Sequence, residues 1–296
     1  MALTLAEAAK LSNDVLLAGV VETIIKESPV LQSLPFIEIV GNGLTYNREN
    51  AAAAAGFYDV GDTWTESTPT FTQITATLKI LGGDADVDNF LVATRSNVQD
   101  LEAAIVQLKA KAVQQKFDDT FINGDTAGDA KSFDGVDKLT DSSQTVSMGT
   151  NGGALTLDKL DELVDKVVAG KPDMLLMSRR SRRKLTALSR ATGSGMLETD
   201  RNQLGQRVQF YNGVPIGVND WISDAKTVGS STDCSTIYAV QFGEGALVGL
   251  TAPGGLQVER VGSLESKDAT RTRVKWYVSS ALFNILKLAK LTGVRD

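Results

Sequence analysis

Apolar and polar side chains near the amino terminus alternate with the period of an amphipathic helix. Within residues 3–27, apolar side chains including Val21 and Ile24 recur at helical spacing, and Ser28-Pro29 marks the end of the pattern. A helix with such an apolar stripe at a chain terminus needs a surface to lie against. The pattern therefore predicts a helical arm, in which Val21 and Ile24 are candidate contacts with another element or subunit.

Two patterns typical of strands, at residues 44–46 and 71–80, enclose a long segment with few aliphatic side chains. Residues 47–70 include consecutive alanines at positions 51–55. Ordering such a segment costs about 1–2 kcal/mol per residue in backbone entropy, which the segment cannot recover by burying itself. We infer that the compensating contacts come from other chains. The candidate contact residues are Arg48, Phe57, Tyr58, Trp64 and Glu66.

The clearest helical pattern covers residues 96–122, where Ile105, Leu108 and Ala112 belong to one apolar stripe. Its length is typical of a structural rod. From residue 156 onward the chain reads as helix, strand and helix, followed by a series of strand patterns. The mixture predicts an α+β fold, in which an α/β unit is inserted in a more β-rich frame.

Composition removes several classes of function. The chain has 296 residues, no histidine and a single cysteine, Cys234. Without histidine, the Ser-His-Asp and Cys-His nucleophile systems and histidine metal sites are excluded. The formal net charge of −6 argues against a dedicated nucleic-acid binder. No stretch approaches the ~20 apolar residues of a membrane helix, and we expect a protein made in a reducing cytoplasm, without a membrane partner.

Two short motifs resemble ligand sites but lack essential parts. Residues 243–249 have glycines that suggest a dinucleotide site, yet residues 251–255 form a turn where a helix should open, so we predict a hairpin instead. Residues 84–88 match the first ligand positions of a calcium loop. Asn89 replaces the required glycine and Arg95 the required glutamate, so we expect these carboxylates to face solvent on a strand.

The densest basic cluster comprises Arg179, Arg180, Arg182, Arg183 and Lys184. It could meet phosphate or an acidic partner surface, although a solvated helix face is the favoured interpretation. Ser181 and Lys184 also satisfy the Ser-x-x-Lys spacing of penicillin-recognising enzymes, but the companion motifs are missing. The sequence therefore predicts no catalytic residue, no metal ligand and no cofactor.

Several short segments follow one another in a recognisable order. They are Ser28–Leu31 with Leu34–Phe36, Gly61–Ser67, Phe121–Asp125 with Phe133–Val136, Asn212–Asp220, and Phe242–Gly245. Together with the rod helix, their order resembles that of the major capsid proteins of tailed bacteriophages, which share the Hong Kong 97-type capsid fold. The resemblance covers nearly the whole chain.

The resemblance implies a division of the chain into five parts. These are an N-terminal arm at 1–40, an extended loop at 41–80, a peripheral domain at 81–153 with a spine helix at about 96–122, an axial domain at 154–250, and a return to the peripheral domain at 251–296. In the family, axial domains converge at the centres of hexamers and pentamers, and the extended loop lies over a neighbouring subunit. Such a loop would find there the contacts that residues 47–70 require.

The implied function is a structural one. The resemblance predicts a shell protein that self-assembles into an icosahedral phage head and encloses double-stranded DNA without binding it specifically. It implies a scaffolding protein, a portal and a decoration protein as partners, assembly in the bacterial host cytoplasm and a final place in the virion capsid. Because the chain begins directly at the arm, we expect a separate scaffolding protein or a processed form. An encapsulin-type cargo shell is the alternative, and an α/β enzyme with an unrecognised site is the more distant one.

The extended loop has no lysine. Members of the family that cross-link their shells join a lysine near the loop tip to an asparagine of a neighbour, whereas from Gly41 to Leu78 the only basic residue here is Arg48. A guanidinium stays protonated and cannot act as that nucleophile. Lys79 lies at the predicted base of the hairpin. We therefore predict a shell held by non-covalent contacts alone.

Overall fold

In a computed structural model of the chain, the described residues are 28–51, 53–95, 101–168, 170–192, 197–201 and 207–295. The predicted arm contacts Val21 and Ile24 lie outside these residues. Helices and strands are mixed in the described part, which confirms the predicted α+β class. Within it, no helix combines the length and the apolar character that a bilayer crossing requires.

The secondary structure is as follows. The helices are α1 (Val30–Ser33), α2 (Asn89–Arg95), α3 (Leu101–Asn123), α4 (Val136–Leu139), α5 (Leu157–Asp165) and α6 (Arg179–Thr192). The strands are β1 (Phe36–Glu38), β2 (Gly43–Ala51), β3 (Thr70–Thr77), β4 (Lys79–Asp88), β5 (Thr145–Ser147), β6 (Gly153–Ala154), β7 (Met174–Met177), β8 (Leu197–Arg201), β9 (Arg207–Tyr211), β10 (Val214–Val218), β11 (Lys226–Val228), β12 (Ser231–Val240), β13 (Leu247–Thr251), β14 (Gln257–Ser263), β15 (Ala269–Leu282) and β16 (Leu288–Arg295). Short 3₁₀ turns cover Ser142–Gln144 and Ile285–Lys287.

One large sheet carries two helices on the same face. Its strand order is β5-β16-β12-β7-β10-β9-β8, with β11 beside β12 and β6 beside β16. Strands β7 and β10 are parallel, and α6 lies in the connection between them. Leu163 of α5 and Leu185 of α6 share one core with Leu175 and Ile237 of the sheet. The predicted helix–strand–helix order is confirmed, although the apolar pattern of the first helix extends in the sequence to Gly170, whereas α5 ends at Asp165.

A second sheet packs on the other side of the long helix. Its order is β1-β13-β15-β14, and β4 pairs with β15 along its whole length, from Lys79–Val278 to Asp88–Ala269. Phe117 and Phe121 of α3 are fully buried against Val278 of this sheet and Leu176 of the first sheet. Helix α3 therefore joins the two sheets through a single core.

The sequence prediction of which face of the long helix is buried is wrong. Leu108 is 39% exposed and Ala112 is exposed, whereas Val113, Phe117 and Phe121 are buried. The aromatic side chains fill the space between the two sheets, so they decide which face of the helix turns inward. Helix α3 ends at Asn123, one residue beyond the prediction, and residues 96–100 lie outside the described residues.

The predicted hairpin at residues 243–249 is also wrong. As expected, no helix opens after the turn. The strands on either side of it do not pair with each other, however, because β12 belongs to the first sheet and β13 to the second. The backbone of Gly243 and Gly245 has φ values of 117° and 80°, which favour glycine. The glycines thus serve a tight turn that transfers the chain from one sheet to the other.

Candidate assembly surfaces

One two-stranded ribbon lies outside the two large sheets. Strands β2 and β3 pair from Gly43–Thr77 to Ala51–Thr70 and form a sheet of their own. The predicted strand at 71–80 is in fact divided at Leu78, because β4 starts at Lys79 and belongs to the second sheet. An isolated two-stranded hairpin is marginally stable in water. The ribbon therefore depends on contacts at its base and beyond its end.

Arg48 and Tyr46 hold the ribbon to the body of the same chain. The Arg48 guanidinium donates to the carbonyl oxygens of Leu282 and Phe283 at 2.5 and 3.1 Å, and the Tyr46 hydroxyl donates to Leu282 at 2.8 Å. The Tyr46 ring meets Phe283 edge-on at 4.7 Å, and burial raises its pKa above the ordinary value. The structure thus places Arg48, a predicted intersubunit contact, in an intrachain anchor.

Beyond the paired strands, residues 53–69 present apolar side chains to solvent. Phe57 and Val60 are fully exposed and Trp64 is 77% exposed. Trp64 stacks on Tyr58 with ring centroids 4.5 Å apart. Adjacent exposed apolar groups of this kind mark an interaction surface. We name residues 53–69 the distal segment.

Polar contacts keep the distal segment folded on itself. The amide of Thr65 donates to the Tyr58 hydroxyl at 3.3 Å, and the amide of Asp59 donates to the Asp62 carboxylate at 2.7 Å. Glu66 is exposed beside them. These contacts are local, so they fix the shape of the distal segment but leave its apolar groups uncovered.

The three carboxylates predicted to face solvent have structural partners. Asp86 is only 8% exposed and forms a bidentate pair with its cross-strand neighbour Arg271, at 2.6 and 2.8 Å. Arg273 forms a similar pair with Asp84, and Asp88 accepts from the amide of Phe90 at the start of α2. The solvent-facing prediction is therefore wrong for Asp86, because β15 supplies guanidinium groups in register.

These pairs also set the local electrostatics. Hydrogen bonds from Arg271 hold the pKa of Asp86 well below its ordinary value, and hydrogen bonds from Arg273 lower the pKa of Asp84. Lys267 adds a second cation to Asp86 at 2.8 Å. Among the residues that the structure describes, no group of carboxylates converges as metal ligands do.

The basic cluster of α6 is divided by its contacts. Arg179 forms a bidentate pair with Asp220 at 2.6 and 2.8 Å, and Arg180 donates to the carbonyl of Asp233 at 2.7 Å. Arg182 and Arg183 are exposed on the outer side of the helix. The five basic residues therefore do not form one patch, since Arg179 and Arg180 bind neighbouring loops of the same chain.

The Ser-x-x-Lys motif lies at the start of the same helix. Ser181 is 2% exposed, and its amide donates to the Ser178 side chain at 3.2 Å, which caps the helix. Lys184 is partly exposed one turn further along. Ser181 therefore belongs to the helix cap and does not face a cleft.

One buried carboxylate escaped sequence reasoning. Asp118 of α3 is 4% exposed, and one of its carboxylate oxygens has no hydrogen-bond partner among the described residues. Burial raises the pKa of Asp118 to about 6, against the opposing hydrogen bond from the Ser28 side chain. The Ser28 hydroxyl also accepts from the Asn219 amide at 3.1 Å. The only signal in the sequence was the position of Asp118 directly after a buried phenylalanine.

A body of two sheets on one long helix, with a ribbon that exposes aromatic side chains, defines a subunit of a larger protein assembly. The chain belongs to the phage capsid family, whose sequence model matches residues 11–284. It is a capsid shell protein with a structural role, located in the virion capsid, and its fold implies self-assembly. This confirms the family resemblance. A search of curated proteins by sequence found no match.

Solved structures have the same fold. The holo-SrpI encapsulin complex from Synechococcus elongatus PCC 7942 is similar with a TM-score of 0.71 and 20% identity, over 99% of this chain and 96% of that chain. The capsid of an empty GTA particle computed with C5 symmetry has a TM-score of 0.69 and 14% identity, over 93% of this chain and 100% of that chain. A structure from Microbacterium phage Oxtober96 has a TM-score of 0.68 and 14% identity, over 99% of both chains. At these identities the likeness shows the fold, which is the predicted capsid fold.

Proposed function

We propose that the chain is the major capsid protein of a tailed phage and forms the hexamers and pentamers of an icosahedral head around double-stranded DNA. The observation that carries the proposal is the distal segment, whose aromatic side chains are exposed at the end of an otherwise anchored ribbon. In the proposed shell, the distal segment lies over a neighbouring subunit. Full burial of Phe57, Val60 and Trp64 there would contribute roughly 1.5–3 kcal/mol each.

We also propose a structural role for each part of the chain. Residues 1–40 act as the arm, 41–80 as the extended loop, and 154–250 as the axial domain at the capsomer centre. The remaining parts, 81–153 and 251–296, form the peripheral domain. A scaffolding protein, a portal and a decoration protein are the proposed partners, and assembly takes place in the bacterial host cytoplasm.

A matched pair of variants tests the proposal. The first changes the apolar side chains of the distal segment, as Phe57→Ser, Val60→Ser and Trp64→Ser, and the control changes Thr63→Ser and Thr68→Ser. Because these apolar groups are exposed in the subunit, we expect the free energy of unfolding of the first variant to differ from that of wild type by less than about 0.5 kcal/mol. We expect wild type and control to form polyhedral particles by electron microscopy and the first variant to stay dissociated. Intact particles of the first variant would refute the role of the distal segment.

A cargo shell is the second candidate, favoured by the similarity to the encapsulin. The content of particles purified from the native host distinguishes the two. We expect nuclease-protected double-stranded DNA of uniform length. Particles filled with one folded cargo protein and no protected DNA would establish the cargo shell instead.

A further inference from the structure

Helix α5 exposes a stripe of acidic side chains. Asp158, Glu162 and Asp165 are all exposed and lie four and three residues apart, so they share one face. The opposite face is buried through Leu160 and Leu163. Lys159 pairs with Glu162 at 2.6 Å and is the only cation within the helix. The outer surface of α5 is therefore predominantly negative.

Helix α6 exposes the opposite charge. It contains no acidic residue, and Arg182, Arg183 and Arg190 are exposed on its outer side. Arg182 and Arg183 are the fourth and fifth residues of the helix, towards the positive end of its dipole, where a cation does not stabilise it. The outer surface of α6 is therefore positive.

The two stripes belong to one side of the molecule. Leu163 of α5 and Leu185 of α6 pack into the same core, so both helices cover the same face of the first sheet. Each copy of the chain thus offers an acidic and a basic stripe at fixed relative positions. A contact between unlike patches of identical subunits can repeat and close into a ring. Complementary charge also suppresses wrong orientations during association.

We propose that the acidic stripe of α5, Asp158, Glu162 and Asp165, docks on the basic stripe of α6, Arg182, Arg183 and Arg190, of a second copy of this chain. The inference rests on the proposed function, since it assigns a contact within the shell. Its occupant is another subunit, chosen because the chain itself carries the matching charge. Packaged DNA is the competing partner for the basic stripe.

Charge reversal separates these partners. The acid-reversed variant carries Asp158→Lys, Glu162→Lys and Asp165→Lys, and the base-reversed variant carries Arg182→Glu, Arg183→Glu and Arg190→Glu. Each variant alone brings like charges together, so we expect particle yield to fall at least tenfold at about 0.15 M salt, where screening is partial. A chain that carries both reversals regains opposite charges at every contact, and we expect it to recover most of the wild-type yield. An equimolar mixture of the two variants regains them only where the variants alternate around a ring, so we expect it to recover hexamers but not pentamers.

Several controls make the result decisive. Glu265→Lys, an exposed reversal between β14 and β15, should assemble as wild type does. Where a reversed chain fails to fold, the neutral set Asp158→Asn, Glu162→Gln and Asp165→Asn replaces it. That set should assemble less well than wild type and lose the salt dependence that wild type shows.

Three outcomes would overturn the proposal. A folded chain with both reversals that does not recover particles would show that the stripes do not pair. A base-reversed variant that assembles normally but releases its DNA would assign the basic stripe to nucleic acid. Absence of the wild-type chain from particles made in the native host would remove the proposed function itself, and the pairing with it.

Discussion

Asp118 offers a sharp test of the described core, because a single atom replacement removes its charge. The carboxyl is 4% exposed, and its pKa of about 6 lies above the ordinary 3.8. The folded state therefore favours the neutral form. The stability linked to the neutral Asp118 carboxyl is fully present below pH 3.8 and is lost as pH rises from 3.8 through about 6. The difference corresponds to at most about 3 kcal/mol of lost stability at pH 7 and above.

Asp118→Asn keeps the shape and abolishes the charge. We expect it to stabilise the unassembled subunit by about 2–3 kcal/mol at pH 7.5 and by almost nothing at pH 4. Urea unfolding from pH 4 to 8 measures this. The matched control is Asp119→Asn on the same helix, where an exposed pair with Lys116 at 3.4 Å predicts a change below about 0.5 kcal/mol at every pH. A variant that equals wild type at pH 7.5, or loses stability there, would refute the assignment.

Two further predictions concern covalent linkage and the paired strands. Boiled and reduced particles should give one gel band near 31.5 kDa, since the ribbon has no lysine and Lys79, at its base, donates at 2.7 Å to the carbonyl oxygen of Ala130. A ladder of higher bands would contradict this. Arg271→Met should destabilise the subunit at pH 7, because it leaves the Asp86 carboxylate, whose side chain is 8% exposed, with Lys267 alone. As the pKa of Asp86 lies well below the ordinary 3.8, that loss should shrink as pH falls below 3.8, and a constant loss would contradict the pairing.

The sequence predicted those parts of the fold that have a strong local pattern. Residues 157–165, 174–177 and 179–192 have the expected helix, strand and helix, since each helix buries one periodic face and the strand is apolar throughout. The order of several weak motifs along the chain indicated the family to which it belongs. The exposed aromatic residues of the ribbon were also found in advance, because a segment with few aliphatic side chains cannot form its own core.

Other features depend on contacts between distant residues and left little local signal. Strand β16 has a weak local signal because Lys290 interrupts its apolar pattern, and only the fold supplies Asp137 as the partner of that amine, at 3.2 Å. The separation of β12 and β13 into different sheets likewise depends on long-range pairing. Arg271 lies 185 positions from Asp86, so no spacing rule could join them.

In the proposed shell, the distal segment packs on a neighbouring subunit. A cryo-electron microscopy reconstruction of purified particles would show this contact. We expect Phe57 and Trp64, exposed in the single chain, to be covered by an adjacent copy in every capsomer. A shell in which residues 53–69 project into solvent and touch no neighbour would contradict it.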